Sequence, residues 1–178
     1  MIETERLVLR AWRDADRAPF AAMGADPEVM HYLAGTIDRA ASDAIINRLE
    51  AEQVSRGHTF WAIEHRADGQ FLGFCGLRIG GHLGTPVVDE LEIGWRLRRD
   101  AWGRGFAREA AEASIAWGWQ TLSNGRISAW TVEANRASWG LMQRLGMIRM
   151  PALDFDHPRL PDDSPLRRHI VYTIARPD

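Results

Sequence analysis

Arg6-Leu7-Val8-Leu9-Arg10 alternates polar and apolar residues with a period of two, which predicts a first strand. Helical spacing follows. Asp14 is placed to cap a short helix running toward Met23 and ended by Gly24, and Pro27 opens another turn through His31. Thr36 or Asp38 caps a longer helix to Arg56, with Ala41, Ile45, Ile46 and Leu49 as its buried stripe and Gly57 as its stop. Three strands are expected at Thr59–Glu64, Gln70–Ile79 and Glu90–Leu97. Ala67-Asp68-Gly69 turns the first into the second, and the looser Gly80-Gly81-His82-Leu83-Gly84 joins the second to the third. An Ala-rich helix from Phe106 to Leu122 leads through Asn124-Gly125 to a strand, Arg126–Val132. Asn135 caps a further helix to Leu145, closed by Gly146. Met147–Asp154 and Arg168–Ala175 read as the last strands, separated by a loop, Phe155–Leu166, rich in proline and acid. The order implies an α+β domain over 1–178, with a mixed, mostly antiparallel sheet of about seven strands.

Composition narrows the chemistry. Of 178 residues, 46% are hydrophobic and 26% charged, an ordinary balance for a packed domain and against disorder. The net charge of -2 argues against a general nucleic-acid or membrane-surface binder. No apolar run is long enough to span a bilayer, and the charged start, Met1-Ile2-Glu3-Thr4-Glu5-Arg6, does not read as a signal peptide, so a cytoplasmic protein is expected. All 22 basic residues are Arg, which removes a lysine Schiff base, a lysine nucleophile and a Walker-type phosphate lysine. The single cysteine, Cys75, excludes an intrachain disulfide or a Cys-based zinc site, and the six histidines show no metal-ligand spacing, so no metal is expected.

The segment from Glu92 to Glu109 carries the clearest signal: a strand ends, a turn with Gly103 and Gly105 follows, and a helix begins at Phe106. Glycines let main chain approach an anion, and first-turn amides have no partner within their helix. Arg96, Arg98, Arg99, Arg104 and Arg108 surround this turn, with Asp100 the sole acid among them. The reading is a phosphate loop, distinct from the dinucleotide fingerprint because Arg108 occupies the place of its last glycine. Just upstream, Glu90, Glu92 and Gly94 alternate with Leu91, Ile93 and Trp95, giving a strand with one acidic face that offers a general base or a seat for a cationic amine. Asn135 reads as a helix cap, which leaves Ser138 unexplained.

Taken in order, four stretches resemble the GNAT superfamily of N-acetyltransferases, and more narrowly the branch containing the ribosomal-protein N-terminal (alanine/serine) acetyltransferases. They are Thr4–Arg10, Glu92–Leu97, Trp102–Ala110, and Asn135–Ser138 continuing through Arg144–Met147. The resemblance implies a fold whose fourth and fifth strands splay apart around the pantetheine arm of acetyl-CoA, used as cosubstrate. It implies pairing of that arm with backbone groups of Trp95, Arg96 and Leu97, a pyrophosphate on the amides of Gly103, Arg104, Gly105, Phe106 and Ala107, and Trp102 as a further cofactor-binding residue at the start of the loop. Arg98, Arg99 or Arg104 would meet the 3′-phosphate, Asn135 the pantetheine, and Ser138 the sulfur. The implied reaction is direct attack of a primary amine, on a protein N-terminus or a small molecule, with Glu92 (or Glu90 behind it) as base. Met142 stands where many members carry a tyrosine acid, which leaves Ser138 or solvent to protonate the leaving group.

Two other readings stand beside this one: a non-catalytic acyl-CoA-binding or sensing module, and a nucleic-acid binder using the arginine cluster. His31 or His58, and Trp12 or Trp61, are candidates to line an acceptor cleft; Trp117, Trp119 and Trp139 suit a core or a homodimer face. The loops Ala34–Asp38 and Asp154–Leu166 are the expected acceptor contacts, and Asp154, Asp156, Asp162 and Asp163 lean toward a cationic acceptor.

Overall fold

A computed structural model describes residues 1–177. Strand β1 (Ile2–Glu3) pairs with β2 (Leu7–Arg10), and three helices follow: α1 (Arg17–Ala25), α2 (Pro27–Met30) and α3 (Arg39–Arg56). Asp38, not Thr36, caps α3, its carboxylate accepting from the Ala41 amide at 2.8 Å. Then come β3 (Phe60–His65), β4 (Phe71–Ile79), β5 (Leu91–Leu97), α4 (Phe106–Thr121), β6 (Arg126–Val132) and α5 (Arg136–Arg144). Three strands close the chain: β7 (Ile148–Arg149), β8 (Phe155–Asp156) and β9 (Arg168–Ala175).

The sheet has nine strands in the order β1-β2-β3-β4-β5-β6-β9-β7, with β8 also on β9. Two of the strands beyond the expected seven, β1 and β8, are two-residue bridges. The strand expected over Met147–Asp154 shortens to Ile148–Arg149, because Pro151 lacks an amide to donate and starts a 3-10 turn over Pro151–Leu153. All pairings are antiparallel except β5 with β6, whose connection is the crossover helix α4.

The two faces of the sheet carry separate cores. On one, Cys75, Leu77, Leu91 and Ile93 pack against Phe106, Ala110 and Ala111 of α4 and against Leu141 and Met142 of α5. On the other, Phe71, Phe74 and Ala62 meet Phe20 and Met23 of α1 and Ile46 and Leu49 of α3. The alternation of β5 thus serves both faces: Leu91, Ile93 and Leu97 sit in the first core, while Glu92, Gly94 and Arg96 point to the second.

Close approach of β4 to β5 depends on Gly73, opposite Leu97. Its φ is 142°, and a Cβ there would lie 2.1 Å from the Arg96 carbonyl oxygen. Gly73→Ala is expected to lower unfolding stability by at least about 2 kcal/mol, from backbone strain and overpacking together. Urea denaturation of the variant checks this.

Candidate active site

β5 and β6 touch at one register point, Glu92 opposite Ser128, and then part. The Gly80 amide bonds the Glu90 carbonyl, and the Arg98 amide bonds the Leu72 carbonyl. Even-numbered residues of β5 therefore turn their backbone groups to β4, and odd-numbered ones to the β6 side. Trp95 and Leu97 accordingly face the open edge. Arg96, opposite Phe74, does not; its expected backbone contact with an extended ligand is corrected by this register. The Leu97 carbonyl is occupied by the indole N–H of Trp102 at 2.9 Å, which ties the following loop to the strand end.

That loop is built as an anion cradle. Gly103 and Gly105 have φ of 71° and 81°, and Gly105 stands at the N-cap of α4. Among the described residues, the six consecutive amides from Gly103 to Arg108 make no backbone hydrogen bond; the first helical bond is that of Glu109 to the Gly105 carbonyl. Trp102, by contrast, spends its amide on the Arg99 carbonyl, so it contributes its side chain and not its N–H. A pyrophosphate beside an extended chain fits this set: free amides at a helix start, then a strand edge with open backbone groups. Of the arginines expected near the phosphates, Arg98 is committed to Asp100. Arg99 and Arg104 make no ion pair among the described residues, and Arg104 lies 4.7 Å from the Phe106 ring centroid.

Residues that hold the cradle lie far away in sequence. Glu109 accepts from the Thr4 hydroxyl at 2.6 Å, the Arg6 amide at 2.9 Å and the Arg6 guanidinium at 2.7 Å. Arg6 also donates to the Arg104 carbonyl at 3.0 Å. This clamp fixes the carbonyl side of the loop and leaves the amide side free. The residues were visible as parts of two motifs, but nothing in their spacing said that they meet.

Glu92 stands at the start of the splay. Its side chain is 16% exposed, and its nearest ionic partner, Arg78, is 3.5 Å away. Arg78 is held bidentately by Glu52 at 2.9 and 3.1 Å, so its charge is shared. Burial pushes the Glu92 carboxyl up to about 7; the Arg78 charge opposes the rise and Glu52 adds to it. Gly80 makes the space: a Cβ there would lie 2.1 Å from Glu92 Oε2. Glu90, the alternative base, is instead bonded by the Arg126 guanidinium and by the Ser128 hydroxyl at 2.9 Å, which holds its carboxyl below the usual range and ties it down as a structural pair.

At the far wall, Asn135 caps α5 by accepting from the Ser138 amide at 3.3 Å, and its amide group donates to Thr131 at 3.1 Å. Ser138 is half-buried in the first turn of α5, and no hydrogen bond of its hydroxyl occurs among the described residues. Met142 is core, 1% exposed. Cys75 is core as well; burial pushes its thiol up to about 12, an inert position.

The acceptor side is only partly as expected. The loops Ala34–Asp38 and Asp154–Leu166 do meet, across a cavity of about 380 Å³ lined by Met30, His31, Gly35, Thr36, Leu160 and Ser164. His58 is instead buried against the Leu77 carbonyl at 2.8 Å, and Trp12 and Trp61 are core at 7% and 4% exposure. No group of three or more metal-ligating side chains occurs among the described residues.

Comparison with known proteins follows the same lines. A family profile described as "Acetyltransferase (GNAT) domain" matches residues 6–148. The chain is 32% identical over 145 residues to "Uncharacterized protein YkkB" of Bacillus subtilis, covering 81% of this chain and 83% of that one. It is 32% identical over 160 residues to "Uncharacterized N-acetyltransferase p20" of Bacillus licheniformis, covering 82% and 84%. The crystal structure of an acetyltransferase from Agrobacterium tumefaciens, 28% identical, superposes with a TM-score of 0.79 over 97% of this chain and 92% of that one.

A carboxyl raised to about 7 costs the folded state nothing below its unfolded value near 4.5 and its full amount above about 7. Glu92→Gln is therefore expected to raise stability at pH 8 by up to about 3 kcal/mol, with the gain vanishing as pH falls to 4.5. Denaturant midpoints measured across that range check the sign.

Proposed function

Since the chain belongs to the GNAT acetyltransferases and is thus an acyltransferase, we propose that it moves the acetyl group of acetyl-CoA to a primary amine by direct attack in a ternary complex. The observation that carries this reading is the run of unbonded amides from Gly103 to Arg108, set beside an open strand edge that begins at Glu92.

The bound cosubstrate supplies a thioester carbonyl open to attack and a thiol leaving group whose pKa near 8.5 makes departure undemanding. The amides from Gly103 to Ala107 hold its pyrophosphate, Arg99 and Arg104 face its 3′-phosphate, and Trp95 offers backbone groups to its extended arm. Asn135 is a wall of the cleft; its cap bonds occupy the groups that a ligand would otherwise use.

An α-amino or lysine-type amine is mostly protonated at neutral pH and must lose a proton before it attacks. Glu92, poised near 7 and free of any tight ion pair, accepts it, directly or through one water. As the N–C bond forms and the C–S bond breaks, the electron pair leaves on sulfur. The Trp95 amide, turned to the open edge, serves as the backbone donor for the charge that gathers on the carbonyl oxygen. The Ser138 hydroxyl, unbonded among the described residues, donates toward the departing sulfur.

The narrower likeness to ribosomal-protein N-terminal acetyltransferases makes a protein N-terminus one candidate acceptor and a small amine the other. A location in the cytoplasm and a homodimer face around half-buried Trp119 and Trp139 remain part of this reading.

Calorimetry should show coenzyme A binding, and thiol release from acetyl-CoA should depend on an added amine; no binding at millimolar coenzyme A overturns the proposal. Glu92→Gln is expected to lower kcat/KM by about 10²–10³-fold. In a pH series the limb rising through about 7 disappears in that variant, leaving only the limb set by the amine.

A further inference from the structure

We propose that the acceptor is an amine that also carries a carboxylate or a phosphate, and that Arg96 receives this anionic group. The inference rests on the acetyl-transfer reading and specifies the acceptor for the same site.

Arg96 leaves β5 on the face that bears Glu92 and Gly94. It lies four positions along the strand from Glu92, about 13 Å between Cα atoms. Its guanidinium lies 5.3 Å from the Phe74 ring centroid and 6.0 Å from that of Phe20, with one Nη 3.4 Å from the Met30 sulfur. No carboxylate reaches it among the described residues, and burial alone draws its pKa down to about 10. Arg10, which is fully buried, shows the usual arrangement: both Asp16 and Glu64 hold it at 2.7 Å, whereas half-buried Arg96 has no such partner among the described residues. A guanidinium taken out of water without an anion is costly. Its position beside the cleft gives that cost a use.

Met30, which lines the cavity between the Ala34–Asp38 and Asp154–Leu166 loops, touches Arg96, so the guanidinium lies one side chain behind that cavity's wall. Around the cleft the balance is cationic. Arg48 and Arg78 share Glu52, and Arg159 stands close enough that its charge acts on Arg48 and His82. The acids that suggested a cationic acceptor are already spent: Asp154 on Arg149, Asp156 on Arg167 and Arg168, Asp162 on Arg167. Asp163 is exposed. Between Glu92 and Arg96 the surface is aromatic, with Phe60 over Gly94 and stacked on Phe74 at 5.4 Å. The face thus offers a base at one end, a hydrocarbon floor, and an unpaired guanidinium at the other, which matches an amine and an anion on one small skeleton.

The test uses the full chain, acetyl-CoA and matched amines: amino carboxylates, their carboxamide counterparts, aminoalkyl phosphates, and spermidine. Anionic members should exceed neutral counterparts in kcat/KM by about 10- to 100-fold, the scale of a hydrogen bond to a charged group. The carboxylate and phosphate arms identify which anion is preferred. Arg96→Met should erase the preference through KM, Arg96→Lys should restore part of it, and coenzyme A affinity by calorimetry should stay unchanged in both. Without ligand, Arg96→Met should unfold at a higher temperature, because an unpaired, partly desolvated charge has been removed. A preference for neutral or polycationic amines, a preference that survives Arg96→Met, or a lowered melting temperature overturns the assignment. Turnover with no amine of any class overturns the acetyl-transfer reading and this inference with it, an outcome distinct from turnover with the wrong preference.

Discussion

The central constraint on this protein is a set of backbone hydrogen bonds that its own chain does not make. Backbone groups inside a sheet are almost always paired. Here β5 and β6 pair at Glu92 and Ser128 and then separate, so Trp95 presents its backbone groups to a gap in the middle of the sheet. The loop that follows leaves another six amides unbonded. Keeping such groups apart takes structure on both sides. Gly73 holds β5 firmly against β4, Trp102 pins the strand end, and the Thr4–Arg6–Glu109 clamp fixes the entry of α4 from below. On the far side Asn135 locks the start of α5. Each element bordering the gap is anchored on its other side: β5 on β4, β6 on β9, and the start of α4 on the Thr4–Arg6–Glu109 clamp.

Electrostatics on the other face follow from where β5 is cut. Glu92 sits where the sheet has begun to open but is still covered, so it is desolvated without being tightly paired. Two residues earlier, Glu90 lies just before β5, and Arg126 and Ser128 of β6 claim its carboxylate. Two carboxylates with the same sequence character thus take opposite roles: one fastens the sheet, the other is poised to titrate near neutrality. Arg96, further along the same face, repeats the pattern of a charged group kept without its usual partner. Stability given up at both positions is concentrated beside the cleft, as is usual where polar groups are positioned for a ligand and not for the fold.

Legibility differed by the range of the interaction. Strand and helix periods placed the main elements, because alternation in β5 and the apolar stripes of the helices are local signals that the core then uses in large part; in α3 Ile46 and Leu49 are buried as expected, but Ala41 is exposed and Ser42 is buried. Gly103, Gly105 and the helix start at Phe106 announced an anion cradle, since helix-terminus amides are unbonded wherever a helix begins. The Asn135 cap was readable for the same reason. Short strands were not: β1 and β8 are two residues each, too short to show a period, and form only because β2 and β9 offer them an edge, and Pro151 split a strand that hydrophobicity alone would have continued.

What the sequence determined by itself, then, is the family, the order of the elements, the glycine turn with its unpaired helix-start amides and the acidic face of β5, all carried by contiguous residues. Tertiary structure alone decided which glutamate is free and which is paired, which odd-numbered backbone groups face the gap, and that Arg6 clamps a loop almost a hundred residues away. It also turned Trp12, Trp61 and His58 into core, and showed the acids of the 154–162 segment to be neutralised by arginines of neighbouring segments. The physical reason is that burial and charge pairing depend on where the backbone is brought in three dimensions, whereas periodicity, capping and glycine freedom are settled within a few residues of chain.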